Sequence, residues 1–209
     1  FLFAVIWVIM LGKNMETLQH YIAFDLEFNT VGEETHIIQV SAVKMANGQE
    51  VDSFDTYVYT DLHLQSFING LTGITAEKVA SAPKLATVLD DFKTFVGDTP
   101  LIGYNAIKSD LPLLVENDLD LTGFYKVDVY DEAFARRSTD LNGVTNLKLT
   151  SVAEFLGISG HGHNSLEDAR MTAQVYEKFM EFDENKTYLT QQEEEHGDNP
   201  FAALGGFFD

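Results

Sequence analysis

The sequence predicts an α/β fold with a mixed central sheet, in which three antiparallel strands are followed by parallel strands and helices flank the sheet. Two strand-like stretches, "HIIQVSAVKM" and "VDSFDTYVYT", lie on either side of Asn47-Gly48, a pair that favours a tight hairpin turn. Helical and strand patterns then alternate, which is typical of such a sheet. With 209 residues and 45% hydrophobic content, the chain can bury one substantial core.

The first strand is predicted at residues 21–28, where aromatic and branched residues dominate and no Gly or Pro occurs. Asp25 and Glu27 share one face of it, because successive side chains of a strand alternate. The other face is apolar and indicates a central strand; it consists of Ile22, Phe24, Leu26 and Phe28. The two carboxylates lie roughly 6.5–7 Å apart along the strand. A divalent cation would offset their repulsion, whereas an isolated pair of this kind is more often a solvated edge.

The middle of the chain predicts a helix at residues 83–95, a short strand at 100–104 and a second helix that begins at Ser109. Asp110 falls in the first turn of that helix, where an acidic residue is favoured by the helix dipole. On its own this carboxylate is an ordinary helix start. "KVDVYD" predicts a further strand that leads into a helix through Arg136. Asp128, near the end of that strand, is a candidate for a further carboxylate of the site, but we favour a turn or helix-start role.

The last predicted helix begins at residues 165–168, "SLED", which have the spacing of a capping box with Asp in place of Glu or Gln. Asp168 therefore lies in the first turn. His163 lies five residues upstream, on a glycine-rich loop from which it can reach the same site. His161 is the second candidate on this loop. Taken singly, Asp168 is explained by capping and His163 by an exposed loop.

Together these segments resemble the three exonuclease motifs of the DEDDh branch of the DnaQ-like 3′–5′ exonuclease superfamily, which has a ribonuclease H-like fold. The group includes the epsilon subunit of bacterial DNA polymerase III, ribonuclease T and the Trex-type nucleases. The resemblance covers residues 21–179, including "GLTGIT" and "NLKLTSVAEFLGI". The interval from His163 to Asp168 is that of the histidine branch.

Two departures from the family pattern concern substrate contacts. The first motif usually continues Asp-x-Glu-Thr-Thr-Gly, whereas here Phe28 and Asn29 follow the glutamate. The second motif usually has His-Asn, whereas Tyr104 precedes Asn105 here and Asp110 lies five residues after it, as in Trex-type sequences. By resemblance, Phe28, Asn29, Tyr104 and Asn105 are the predicted substrate-binding residues, and the substrate preference does not carry over.

The resemblance implies two divalent cations, Mg²⁺ or Mn²⁺, roughly 3.5–4 Å apart, that promote an in-line displacement at phosphorus. Asp25 would contact both ions, and Glu27 and Asp168 would help hold the ion that activates water. Asp110 would support the second ion, largely through water. His163 would accept the proton of the attacking water. Because that requires a neutral imidazole, activity is expected to fall at acid pH.

The formal net charge of −20 excludes a broad phosphate-binding surface. We expect weak binding of nucleic acid unless a partner delivers the substrate. Candidate phosphate contacts are few, and each is more often a solvated surface charge; they are Lys108, Arg136, Arg137, Lys148 and Arg170. The chain has no cysteine, which is compatible with the reducing cytoplasm that we expect.

We divide the chain into an apolar leader or fragment end at residues 1–18, an exonuclease domain at 19–182 and an acidic, flexible tail at 183–209. The apolar run of the leader is shorter than the ~20 residues that span a bilayer, so no membrane contact is expected. We favour a non-native or upstream-translated leader, and a truncated signal or membrane anchor is the alternative. The tail follows the last helix as "QQEEEHGDNPFAALGGFFD". Two interpretations stand: a peptide that binds a polymerase, clamp or other replication or repair protein, or a frayed end that folds back.

The sequence thus predicts a metal-dependent 3′–5′ exonuclease that releases nucleoside 5′-monophosphates from the 3′ ends of single-stranded DNA, in proofreading or repair. An exoribonuclease is the alternative, because recognition of the 2′-hydroxyl depends on details of the pocket. A non-catalytic binding module on the same fold is the third interpretation. Such a module would be expected to have lost a ligand or the histidine, and all five residues are present.

Overall fold

The computed structural model describes residues 17–160 and 162–196 and contains a five-stranded sheet with helices around it. The strands are β1 (His20–Val31), β2 (Glu34–Ala46), β3 (Gln49–Tyr57), β4 (Leu101–Gly103) and β5 (Tyr125–Asp128). The helices are α1 (Ser66–Thr72), α2 (Ala76–Ala80), α3 (Leu85–Val96), α4 (Asp110–Glu116), α5 (Val129–Ala135), α6 (Leu149–Phe155) and α7 (Ser165–His196). Within the described ranges, no helix has the length and apolar character needed to cross a membrane.

The sheet has the order β3-β2-β1-β4-β5 and is mixed, as predicted. β1 pairs with β2 in antiparallel and with β4 in parallel orientation, and β5 continues the parallel side. β1 is therefore the central strand, which confirms the expectation drawn from its apolar face. The polar residues of β1 lie where the antiparallel and parallel halves of the sheet meet.

The hairpin between β2 and β3 turns at Asn47-Gly48, as predicted. Asn47 has a φ of 50° and Gly48 a φ of 75°, and the flanking residues Ala46 and Gln49 are paired. A two-residue turn with two positive φ angles matches the right-handed twist of the strands that it joins. The hairpin fixes the register of the two strands beside β1.

The core lies on the apolar face of β1. Ile22, Phe24 and Leu26 are buried there in one cluster with residues of α3 and α4. The ring centroids of Phe24 and Phe92 of α3 are 6.2 Å apart. This burial holds β1 rigidly and leaves its other face for Asp25 and Glu27.

Phe28, which alternation places on the apolar face of β1 with Leu26, is not buried. Its side chain is 41% exposed, and the next residue, Asn29, is fully buried instead. The core cluster on the apolar face of β1 includes Leu26 but does not extend to Phe28. The register of β1 and β2 also shifts here, since Glu27 pairs with Gln39 but Phe28 with Ile37, and the extra residue lies in β2.

The cap of α7 lies one residue earlier than predicted. The Oδ1 atom of Asn164 accepts a hydrogen bond from the backbone N–H of Glu167 at 3.2 Å, so Asn164 and Glu167 form the cap. Ser165 is the first helical residue and is fully buried. Its hydroxyl lies 2.5 Å from that of Ser41 on β2, which explains why it does not cap.

Helices α1, α2 and α6 have no counterpart among the predicted elements. They contain seven, five and seven residues. Helices this short complete two turns at most, so they leave no clear apolar periodicity in the sequence. α1 and α6 lie in or beside "GLTGIT" and "NLKLTSVAEFLGI", two stretches that resemble the family.

Residues 18–177 form one compact unit, and the described residues outside it, 17 and 178–196, belong to a second. In the described part of the second unit, α7 continues to His196. The stretch "QQEEEH", which we expected to follow the last helix, is therefore helical. The division into leader, domain and tail stays a prediction, and residues 1–16 and 197–209 lie outside the described residues.

Candidate active site

Three predicted carboxylates meet at the polar face of β1. Asp25 and Glu27 extend from β1 and Asp168 from the first turn of α7, and each contributes a carboxylate oxygen to a group in which all oxygens lie within 4.8 Å of one another. All three residues are partly buried. The structure thus brings together the first and third predicted motifs, which are far apart in the chain.

Asp110, the fourth predicted carboxylate, is hydrogen-bonded to the same strand from the first turn of α4. It is 5% exposed, and its Oδ1 accepts a hydrogen bond from the backbone N–H of Leu26 at 3.1 Å. Its Oδ2 accepts a hydrogen bond from the hydroxyl of Ser109. Leu26 lies between Asp25 and Glu27, so this bond holds the start of α4 against the centre of the site. Asp110 is not part of the three-oxygen group.

Burial and mutual repulsion raise the pKa values of these acids. Burial, followed by the charges of Asp110, Asp168 and Glu27, raises the pKa of Asp25 well above its ordinary range. Burial, followed by the charges of Asp168 and Asp110, raises the pKa of Glu27 to about 7. Burial also raises the pKa of Asp110 to about 6, against the hydrogen bonds from Ser109 and Leu26. Such a cluster is fully ionised near neutral pH only when a cation compensates its charge.

Asp168 combines a hydrogen-bonded oxygen with an unpaired one. Its Oδ2 accepts a hydrogen bond from the backbone N–H of His163 at 2.9 Å. Its Oδ1 is buried and has no hydrogen-bond partner among the described residues. A buried carboxylate oxygen without a partner is unfavourable unless something else contacts it. Three converging carboxylates, one of which has a buried oxygen without a partner, therefore fit a hard divalent cation.

His163 is exposed and lies on the loop that leads into α7. Its φ of 73° is in the left-handed region, which a residue other than glycine seldom adopts. The hydrogen bond from its backbone to Asp168 stabilises this conformation. His163 and Asp168 line the same cavity, so the structure brings the predicted histidine to the carboxylates. His161 lies outside the described residues.

Tyr104 and Asn105 line this cavity, which has a volume of about 730 Å³. The hydroxyl of Tyr104 donates a hydrogen bond to the carbonyl of Leu147 at 2.7 Å. Asn105 has a φ of 60°, and its backbone N–H donates a hydrogen bond to Oδ1 of Asp128 at 2.7 Å. The same oxygen caps α5 by accepting a hydrogen bond from Tyr130 N–H at 3.0 Å, which confirms the helix-start role of Asp128.

Phe28 and Asn29 lie on β1 beside Glu27 and do not line the cavity. Phe28 is partly exposed, whereas the amide group of Asn29 is used inside the protein. Its Nδ2 donates a hydrogen bond to the carbonyl of His63 at 3.1 Å, and its Oδ1 accepts one from Gln65 N–H at 3.0 Å. Asn29 thus holds the segment before α1 against β1. Substrate contacts of both residues stay predictions.

The candidate phosphate contacts differ in their surroundings. Arg136 forms an ion pair with Glu132, and Arg170 forms ion pairs with Glu50 at 2.9 Å and with Glu167 at 2.7 Å. Lys108 and Lys148 both line the cavity; Arg137 does not. Tyr130 also lines the cavity, and sequence reasoning did not identify it. In the sequence, the one signal for Tyr130 is its position two residues after Asp128, at the end of a predicted strand.

Comparison with protein families gives one match: an exonuclease model (RNase T) fits residues 22–176. A PolC-type DNA polymerase III of Caldanaerobacter subterraneus subsp. tengcongensis is 32% identical over 187 residues, which cover 83% of this chain and 12% of the relative. The DNA polymerase III subunit epsilon of Aquifex aeolicus is 28% identical over 171 residues, 77% of this chain and 80% of the relative. The chain thus spans a small part of its PolC-type relatives.

Solved structures show the same fold. The nuclease domain of 3′hExo, a DEDDh family member bound to rAMP, has a TM-score of 0.64 and 20% identity, covering 80% of this chain and 94% of that domain. Cell-death related nuclease 4 (CRN-4) has a TM-score of 0.65 and 15% identity, covering 79% of this chain and 64% of the other. The mixed sheet and its helices are therefore those of ribonuclease H-like DEDDh nucleases.

Proposed function

This chain belongs to the RNase T family of exonucleases, in its DnaQ-like DEDDh branch, and we propose that it removes nucleoside 5′-monophosphates from the 3′ ends of single-stranded DNA. The observation that carries the proposal is the meeting of Asp25, Glu27 and Asp168 within 4.8 Å, with His163 bonded to Asp168. Hydrolysis of a phosphodiester by the two-metal mechanism uses such a group of carboxylates to hold the cations, with a base that takes a proton from water beside it.

Asp25, Glu27 and Asp168 would hold the divalent cations, and Asp110 would support them from α4. The donor set is all carboxylate, which favours Mg²⁺ or Mn²⁺ over softer metals. When bound, two such cations supply the positive charge that activates water and stabilises the leaving oxygen during in-line displacement. The hydrogen bond from Leu26 fixes Asp110, so the protein positions these oxygens before any ion arrives.

His163 would act as the general base. Its imidazole is exposed, and its backbone is tied to Asp168, so the ring can approach a water molecule next to the carboxylates. Asp168 and His163 are therefore coupled through one loop: the carboxylate that binds a cation also positions the base. This arrangement supports proton transfer by His163 rather than by a carboxylate of the cluster.

Two observations bear on the substrate. The relatives are named as DNA polymerase III proteins, which supports DNA as the substrate and proofreading as the role. Structural neighbours include the 3′hExo nuclease domain with bound rAMP, which supports RNA as the second candidate. A polymerase III-type assembly is the partner that we propose, because the epsilon relative is named as a subunit of such an enzyme.

Single-stranded DNA and RNA oligonucleotides, labelled at either end, test the proposal in the presence of Mg²⁺ or Mn²⁺. We expect stepwise shortening from the 3′ end and release of nucleoside 5′-monophosphates, with DNA cleaved faster. Asp25→Ala and His163→Ala should abolish this activity, whereas Asp91→Ala, which removes an exposed acid of α3, should not. Absence of metal-dependent cleavage of both polymers would overturn the proposal and favour a binding role.

A further inference from the structure

The cavity beside the carboxylates has a positively charged wall that the cleavage chemistry does not use. Lys108 and Lys148 line it together with Tyr130, and the same cavity reaches His163 and Asp168. We propose that Lys108, Tyr130 and Lys148 form a subsite for the nucleotides on the 5′ side of the scissile phosphate. The lysines bind their phosphates and Tyr130 contacts a base. This inference rests on the proposed 3′–5′ activity.

Lys108 and Tyr130 form one half of the subsite. The Nζ atom of Lys108 lies 5.8 Å from the centre of the Tyr130 ring. The Tyr104 ring meets the Tyr130 ring edge-on, with centroids 5.9 Å apart and an interplanar angle of 85°. Tyr130 is only partly buried, so part of its ring remains open to a ligand. A supported aromatic ring next to a cation is the combination that single-stranded nucleic acid binds through stacking and phosphate contacts.

Lys148 forms the other half, just before α6. Its backbone N–H donates a hydrogen bond to Oδ1 of Asn146 at 2.9 Å, which fixes the turn that precedes the helix. The preceding residue, Leu147, accepts the hydrogen bond from the Tyr104 hydroxyl. Tyr104 therefore touches both halves, with its ring against Tyr130 and its hydroxyl against the Lys148 segment. Tyr104 thus connects the two segments that carry Lys108 and Lys148.

Both lysines are available for a phosphate. Across residues 17–160 and 162–196, neither Lys108 nor Lys148 forms an ion pair with a carboxylate, whereas Arg136 and Arg170 do. Their side chains are exposed at a cavity that also contains Asp168. In a chain with a net charge of −20, nucleic acid is repelled by most of the surface. Two unpaired cations next to the site offset that repulsion locally.

The chemistry decides on which side of the cleaved bond these phosphates lie. An enzyme that releases a single nucleoside 5′-monophosphate from a 3′-hydroxyl end cleaves at the last phosphate of the strand. No phosphate follows that bond, so every additional phosphate lies on its 5′ side. Two lysines that bind phosphates other than the scissile one must therefore contact the upstream strand.

A series of DNA substrates with increasing numbers of upstream phosphates tests the subsite. The p-nitrophenyl ester of thymidine 5′-monophosphate and a dinucleotide with a 5′-hydroxyl have none, a trinucleotide has one and an octanucleotide has six. We expect the wild-type KM to fall from the dinucleotide to the longer substrates. In the double variant Lys108→Ala/Lys148→Ala, this gain should disappear, with a roughly 10-fold higher KM for the octanucleotide.

Salt dependence gives a second, independent readout. The slope of log(kcat/KM) against log[salt] on the octanucleotide should become less steep by roughly 1.4, because each lost contact with a single strand removes about 0.7. Lys108→Arg/Lys148→Arg should restore the wild-type slope, since the charge is kept. Tyr130→Leu should raise KM on the octanucleotide without changing the slope. Lys93→Ala, an exposed lysine of α3 that does not line the cavity, is the matched control.

The outcomes separate this inference from the proposed function. If wild type hydrolyses the nitrophenyl ester but the double lysine variant keeps the wild-type KM and salt slope on the octanucleotide, the subsite is refuted and the exonuclease proposal stands. If the double variant loses activity equally on the ester and the octanucleotide, the lysines act on the reaction centre and the subsite is again refuted. If wild type cleaves neither substrate, both proposals fail.

Discussion

The backbone N–H of His163 donates a hydrogen bond to Oδ2 of Asp168 at 2.9 Å, while Oδ1 of Asp168 is buried without a partner among the described residues. One oxygen of this carboxylate therefore shapes the loop that carries the candidate base, and the other is left for a cation. The two functions of Asp168 can be separated by mutation, because an amide oxygen can replace the first but supplies no negative charge for the second.

Asp168→Asn should keep the loop conformation and lose metal binding, because Asn retains an oxygen that accepts the His163 N–H. We expect kcat/KM to fall by at least about 100-fold. Asp168→Ala should lose activity similarly and also release the loop, so hydrogen exchange at the His163 amide should accelerate only in the Ala variant. Equal exchange rates in both variants would contradict the role of this bond.

The metal-free protein should be less stable at pH 8 than at pH 5.5. Glu27 has a pKa of about 7 in the fold against an ordinary 4.5, so the folded state holds its proton more tightly than the unfolded state. The contribution of Glu27 to the free energy of unfolding is fully present below about pH 4.5. It is lost as the pH rises to about 7, and the loss is on the order of 2–3 kcal/mol. Thermal unfolding at pH 5.5 and pH 8 in the presence of a chelator measures this difference in stability.

Two controls accompany that measurement. Mg²⁺ at pH 8 should raise Tm in wild type, because the cation binds the ionised cluster and releases its protons. Glu27→Gln should weaken both the pH dependence and the effect of Mg²⁺, since the amide cannot ionise. A Tm in chelator that is unchanged or higher at pH 8 than at pH 5.5 would show that the cluster is not held in a partly protonated state.

Substitution by alanine should affect substrate binding at Phe28 and the stability of the protein at Asn29. Phe28 is 41% exposed beside Glu27, so Phe28→Ala should raise KM for oligonucleotides, by roughly 10-fold if a stacked base is lost, with little change in stability. Asn29→Ala should lower the free energy of unfolding by about 1–3 kcal/mol, because the hydrogen-bonding groups of His63 and Gln65 lose their partner. Denaturant unfolding and steady-state kinetics on both variants check this; a reversed pattern would refute these assignments.

Removal of residues 191–209 should leave activity on short oligonucleotides unchanged. The carboxylates of the candidate site belong to the unit 18–177, and of the removed segment the described residues 191–196 contribute none of them. The rate of cleavage of a short single strand, compared between full-length and shortened chains, measures this. A collapse of that rate would rule out a segment that serves partners alone.

The fold and the four acids were predictable because each depends on local patterns. Alternation along β1 placed Asp25 and Glu27 on one face, and the Asn47-Gly48 turn fixed the neighbouring hairpin. Asp110 and Asp168 were placed at helix starts by the composition of those starts. The resemblance to a family of exonucleases then linked them into one site.

The failures depend on contacts between distant segments. Phe28 is exposed because the core cluster covers the apolar face of β1 only as far as Leu26, and no local pattern reports where that cover ends. Asn164 and Ser165 are both good caps; the contact between Ser165 and Ser41 decides between them. The position of Tyr130 in the cavity likewise follows from its packing against Tyr104, which comes directly after a different strand, β4.

The contact between the hydroxyls of Ser41 and Ser165 has a consequence for folding kinetics. The two residues are 124 positions apart in the chain, so the start of α7 reaches the sheet only when a long loop has closed. A partly folded chain that has formed the hairpin of β1 and β2 holds Asp25 and Glu27 but lacks Asp168. Tight uptake of a divalent cation would then be one of the last events of folding, and its rate would report when α7 docks.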